Sequence, residues 1–272
     1  MTAVEPAAEP GVGRRARLGG ASLDPVRVLA PIALFVLFIG AWEAWLVIGN
    51  VPELLLPAPH QILSQFIEDR SKLSTFAGNT LAQALKGVAV GSVFSLTLAG
   101  LVFRVPVLAK ALQTYASTIK ALPVVALYPI CTVFFGITDR AVVAIVAVGI
   151  TPIVFAYALT GFSTRSEQDE LFRSLSAGFW VRFRLLVLPR SAPYLMAALK
   201  TVVPTSIIIA VIAQYFGGSV TSLGAYIRRE SANLHVLEMW SAIVASCLLG
   251  LSCFAVVALA DRLVRRWLPT AR

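Results

Sequence analysis

Residues 166–194 read SEQDELFRSLSAGFWVRFRLLVLPRSAPY, and they separate two long apolar runs at approximately 141–161 and 192–213. Each run has about the 20 residues that a helix needs to cross roughly 30 Å of hydrocarbon. The segment between them is too long and too charged for a tight connection, and Gly178 divides it into two short helical patterns. In the first, Glu167, Asp169 and Glu170 stand at the start, where the helix dipole favours acids, and Leu171, Phe172 and Leu175 offer an apolar face. In the second, Phe179, Trp180, Phe183 and Leu186 recur at helical spacing around Arg182 and Arg184, and Pro189 is expected to end the helix. This spacing predicts a loop of about 163–190 that ends in an interfacial helix and returns to the membrane.

Four further apolar runs lie outward from this segment, at Val28 to Ile48 and near residues 80–103, 117–136 and 239–260. Six spans account for a composition that is 58% hydrophobic and only 14% charged over 272 residues, with a mean hydropathy of +0.81. A soluble domain of this size would leave much of that apolar surface in water. The first run is longer than the apolar core of a signal peptide, about 7–15 residues. Residues 1–27, with three glycine-flanked arginines and no apolar period, read as a disordered basic tail ahead of a six-helix domain over 28–272.

The net charge of +9 follows membrane topology and does not imply nucleic acid. Sixteen of the 23 Lys and Arg fall on one side: Arg14, Arg15, Arg17 and Arg27 in the tail, Arg104, Lys110 and Lys120 between the second and third runs, five in the 163–190 loop, and four at the C-terminus. Only Arg70, Lys72, Arg140, Arg228 and Arg229 fall on the other, so both termini are expected in the cytoplasm. Lys86 and Lys200 lie within runs, and they and Glu43 are read as structural, the lysines snorkelling from near span ends. Cys131, Cys247 and Cys253 sit in apolar stretches as buried free thiols. His60 and His235 are far apart and lack acidic or thiol neighbours at ligand spacing, so no metal site is expected.

The chain has no G-x-x-x-x-G-K-[ST] phosphate cradle, so any energy for transport must come from another subunit. A short helix with apolar knobs, presented outside the membrane, suits a socket on such a partner. Paired acids or an inverted repeat, which would point to an ion-coupled carrier or channel, are not evident in the sequence. That ATP-independent carrier is the alternative, and a membrane enzyme lacks a convergent catalytic set.

The same loop resembles a known family. Glu170, Leu171 and Phe172, then Ser176, then Leu186, Leu188 and Pro189 match in spacing the EAA-x3-G-x9-I-x-LP loop of binding-protein-dependent ABC importer permeases. Leu171 and Phe172 replace two alanines, Ser176 the glycine and Leu186 the isoleucine. WEAWLVIGNVPELLLPAPHQIL at 42–63 is similar to the nitrate, sulfonate and taurine permease group, as are Asn79-Thr80-Leu81, Lys120-Ala121-Leu122-Pro123, Phe134-Phe135-Gly136-Ile137 and Ser222-Leu223-Gly224. Gln214-Tyr215-Phe216-Gly217-Gly218 is most similar to members handling pyrimidine-like vitamin precursors, in which a glutamate commonly stands at the place of Gln214.

The resemblance implies an all-α integral membrane protein with the six-helix, MetI-like type I importer fold, acting as a transport subunit and not as an enzyme. It implies a coupling helix formed by Glu170, Leu171, Phe172, Arg173, Ser174, Leu175, Ser176 and Ala177, with Leu188 and Pro189 closing the loop. Implied partners are a cytoplasmic ABC ATPase dimer carrying Mg-ATP, an extracytoplasmic substrate-binding protein and a second permease copy, since each chain offers one docking helix to a paired ATPase. At Ser176 the backbone is expected to approach the partner closely. Gln214 and Tyr215 are candidates for the substrate pathway or for capping the helix end.

Overall fold

The computed structural model describes residues 25–119, 123–164, 168–176 and 178–267. Most of the basic tail therefore lies outside the described residues, as do Lys120, Glu167 and Ala177. The chain divides into two units, residues 1–50 and 51–272. The first contributes α1, Pro25–Gly49, which is apolar enough to span a membrane from Leu29 onward.

The second unit is helical throughout its described residues. A short amphipathic helix, α2 (Pro59–Glu68), leads into the long α3 (Arg70–Val102). Then come α4 (Pro106–Ile119), a 3-10 turn at Val124–Leu127, α5 (Tyr128–Phe135) and α6 (Asp139–Ser163). The loop read above holds α7 (Gln168–Ser174) and α8 (Phe179–Arg182), and α9 (Leu188–Phe216), α10 (Leu223–Ala232) and α11 (Val236–Trp267) complete the unit. Among the described residues five helical segments qualify as spans: α1, α3, α6, the run from Phe179 to Phe216, and α11. The expected third span, 117–136, is not one straight helix. It is divided between α4 and the 124–135 segment, which lie at 91° to each other and qualify only together. Pro123 stands at the break with a non-helical backbone (φ −70°, ψ 87°) and no N–H to donate, whereas Pro129 lies in the first turn of α5, where a missing N–H is tolerated.

The bundle centres on α6, whose two sides meet α3 and α9. Apolar burial drives little association when lipid is as apolar as leucine, so close backbone approach at small residues does the work. Val146 and Ile150 of α6 sit on Gly87 and Gly91 of α3. A methyl group at Gly91 would fall 2.7 Å from the Ala147 carbonyl oxygen and 2.6 Å from Ile150. Ser95 Oγ donates to the Thr151 carbonyl at 2.9 Å along the same seam. On the other side Ile209 fills the space at Gly149, and Ser191 that at Gly161. Cys131 is buried, whereas Cys247 faces outward; lipid satisfies an apolar thiol as well as protein does, so the expectation of burial fails there.

At the end opposite α7, α10 packs across α9, α11 and the start of α3. Phe76 and Tyr226 meet edge to face with centroids 5.4 Å apart. Asp69, between α2 and α3, accepts hydrogen bonds from Gln65 Nε2, Lys72 Nζ and the Tyr226 hydroxyl, each at 3.1 Å. Burial pushes the Asp69 carboxyl up, but these three donors outweigh it and leave the group below the usual aspartate value.

Two measurements follow from this packing. Gly91→Leu should destabilise the purified protein by about 1–3 kcal/mol through overpacking, read as a lower melting temperature in detergent. Gly100→Ala, where nothing lies within 4 Å, should not lower it. Because the folded Asp69 value is depressed, its contribution is complete above the unfolded value and disappears as pH falls through the folded one. Melting temperature should therefore drop below about pH 4 in the wild type, and that drop should be smaller in Asp69→Asn.

Candidate functional site

The 168–190 segment is held by a buried carboxylate. Asp169, only 6% exposed, accepts from Arg182 Nη2 at 2.6 Å and from Arg190 Nη1 at 2.8 Å. Its position in the first turn of α7 suits the helix dipole, but its larger role is tertiary: it ties α7 to α8 and to the first turn of α9. Glu170, the acid aligned with the family motif, faces outward. Phe172 is half-buried, and Leu175 is 68% exposed just after the helix. Leu171, Arg173 and Ser174 lie on the helical backbone of α7.

Ser176 has φ +50°, the left-handed conformation in which a helix often ends. Glycine adopts it freely, and a serine there carries roughly 1–2 kcal/mol of strain. The backbone turn by itself gives glycine an advantage at this position.

α8 is fixed by rings. Phe103, at the end of α3, and Phe162, at the end of α6, meet Phe183 with centroids 6.1 and 5.6 Å away, and Phe179 stacks on Phe103 at 6.4 Å. Arg104 places its guanidinium 3.6 Å from the Phe179 ring centroid. Trp180 stays exposed, as an interfacial residue would. Pro189 does not end this helix. The chain widens into a π turn at Phe183–Val187 and continues into α9, with Pro189 in the first turn. Val187 and Leu188 are both helical, so the run is continuous through Pro189, and the π turn ahead of it is the local adjustment that lets a membrane helix accommodate a proline. Leu188 is exposed on the same continuous run.

Gln214 and Tyr215 lie at the far end of α9 in different environments. Gln214 is 0% exposed. Its Oε1 accepts from Thr80 Oγ1 at 3.0 Å and from the Gly224 N–H at 3.3 Å, and its Nε2 donates to Gln83 Oε1 at 2.9 Å. Thr80 Oγ1 in turn accepts from the Leu223 N–H at 3.1 Å. Two otherwise unsatisfied donors at the start of α10 are thus met by side chains of α9 and α3. Tyr215, 39% exposed, points away from this network and contacts Phe216 edge to face at 5.8 Å.

Sequence reasoning missed several of these roles. Lys200 does not snorkel; it pairs with the nearly buried Asp261 and joins α9 to α11. Lys86 is exposed midway along α3, and Glu43 lies on α1. Among the described residues no three metal-ligating side chains converge.

Residues 87–269 match the family described as binding-protein-dependent transport system inner membrane component. The chain is similar to the formylaminopyrimidine transport permease protein of Halalkalibacterium halodurans, 27% identical over 89% of this chain and 96% of the relative. It is also similar to the riboflavin transport system permease protein of Chloroflexus aurantiacus, 25% identical over 87% and 89% of the two chains. Among solved structures, the inward-facing MetNI methionine ABC transporter shares the fold, with a TM-score of 0.62 and 18% identity over 72% of this chain and 98% of that chain.

Asp169→Asn should leave two arginines facing a neutral amide and destabilise the loop by about 3 kcal/mol, the lower end for a broken buried pair because Arg182 keeps some solvent. Limited proteolysis should then nick residues 165–178 faster. Glu170→Gln, at an exposed position, should leave the cleavage rate unchanged.

Proposed function

We propose that this chain, which belongs to the family of binding-protein-dependent transport system inner membrane components, works as one of two identical membrane-spanning subunits driven by a separate ATPase that docks on α7. It is an ABC importer permease of the MetI type. That membership weighs against the ATP-independent carrier considered as the alternative.

The observation that carries the coupling proposal is the mounting of α7. Leu175, just after the helix, is displayed outward, while Asp169 fixes α7 to Arg182 and Arg190 on one continuous helical run that ends at Phe216. A push on α7 is delivered to that run through two charge-assisted bonds, without a flexible linker. The excess of Lys and Arg at the α7 end supports a cytoplasmic placement for it and for both termini. ATP and magnesium would be held by the partner. One α7 per chain supports a pair of permease copies facing a pair of ATPases. A binding protein would deliver solute at the α10 end.

For the substrate we favour a nitrogen heterocycle of the pyrimidine or vitamin-precursor class over nitrate, sulfonate or taurine. The support is the two relatives named for formylaminopyrimidine and riboflavin transport.

The test is a Phe172→Asp, Leu175→Asp variant purified with its cognate ATPase. Two carboxylates in an apolar socket should reduce ATPase association at least tenfold and abolish uptake, while the membrane bundle stays folded. Full association with continued uptake would overturn the docking assignment. With the binding protein present, ATPase stimulation by a pyrimidine precursor and none by taurine is the expected substrate result.

A further inference from the structure

Between α3, α4 and α6 two cavities lie end to end. The one beside α7 has a volume of about 850 Å³ and is lined by charged and polar groups, among them Arg104, Lys110, Arg182 and Arg190. The second, about 450 Å³, is almost wholly apolar and is formed by Val90, Phe94 and Leu98 of α3, Leu112 and Ala116 of α4, and Phe155 of α6. On α6 they are one turn apart, since Leu159 lines the first and Phe155 the second. On α4 they interleave, with Ala109 and Gln113 in the first and Leu112 and Ala116 in the second. From Phe103 to Val90 the crevice follows α3 for about 20 Å, at 1.5 Å per residue. That exceeds the roughly 15 Å of hydrocarbon in one leaflet.

Asp169 engages Arg182 and Arg190, which leaves the charged end with a positive excess. Arg104 and Lys110 make no ion pair among the described residues, and Arg104 is oriented by its stacking on Phe179. A cationic mouth at the membrane surface that continues into an apolar trough matches an amphiphile: a phosphate with an acyl chain attached. Basic pockets between membrane helices on the cytoplasmic side are suited to anionic headgroups.

We propose that this crevice binds one anionic phospholipid, its phosphate between Arg104 and Lys110 and an acyl chain along Phe94 and Leu98. The headgroup then lies beside the Asp169 ion pairs, so the lipid braces the joint on which α7 is mounted. The placement rests on the cytoplasmic orientation of α7 proposed above.

The experiment uses the full-length chain in nanodiscs containing phosphatidylcholine and phosphatidylglycerol, with retained lipid counted by native mass spectrometry. Wild type should retain phosphatidylglycerol selectively. The Arg104→Gln, Lys110→Gln variant should lose that selectivity about tenfold, and Val90→Trp, which fills the outer end of the trough from an exposed position, should reduce retention with both cations intact. Melting temperature checks that each variant is folded. Equal retention of the two lipids, or retention indifferent to both variants, would overturn the proposal. Displacement of the lipid by glycerol 1-phosphate at equal concentration would show a site for soluble phosphate and also overturn it. Lipid retention is read without the ATPase, so it can fail while docking at α7 stands, or the reverse.

Discussion

The arrangement of the loop depends on one carboxylate. Asp169 is buried against two guanidinium groups from different parts of the chain, and removing the carboxylate would leave those two cations facing each other without the charge between them. A buried pair of this kind contributes little net stability compared with apolar packing, but it admits few alternative geometries. That suits a short helix that has too few residues to hold its position by its own hydrogen bonds. The aromatic cluster of Phe103, Phe162, Phe179 and Phe183 supplies the apolar part of the same joint.

From this joint the chain runs helically from Phe179 to Phe216, about 55 Å at 1.5 Å per residue. At the distal end Gln214 is bound to Thr80, Gln83 and the start of α10. The two ends of the protein are thus joined by a single continuous element whose termini are each fixed by polar contacts. Lys200 and Asp261 tie its middle to α11.

The apolar runs made most of the helices legible, because span length and mean hydropathy are local properties. The loop was legible too, through its spacing. The third span was less so: Pro123 and Pro129 were visible, but whether a proline kinks a helix or divides it depends on what packs around it. Pro189 was misread for a related reason, since a π turn just before it lets the helix continue through a residue that would otherwise stop it. Glu170 and Asp169 are neighbours, and nothing local says which of them faces inward; that is decided by Arg182 and Arg190, 13 and 21 positions away. Asp261 stood at the edge of a run and was not connected with Lys200, whose partner lies 61 residues distant. Gln214 was noticed by sequence, but its engagement with α3 and α10 is visible only in three dimensions.

The glycine notches on either side of α6 have a mechanical consequence. Each accepts one particular side chain: Val146 at Gly87, Ile150 at Gly91 and Ile209 at Gly149. Sliding any of these helices by a single turn would drive a branched side chain into a backbone with no notch to receive it. The trio of α3, α6 and α9 is therefore locked in axial register and unsuited to shear. In the transport cycle proposed above, this trio would move as one rigid body, and the bent α4 and α5 segment, divided into pieces that each meet α6 less extensively than α3 or α9 does, would be the part able to deform.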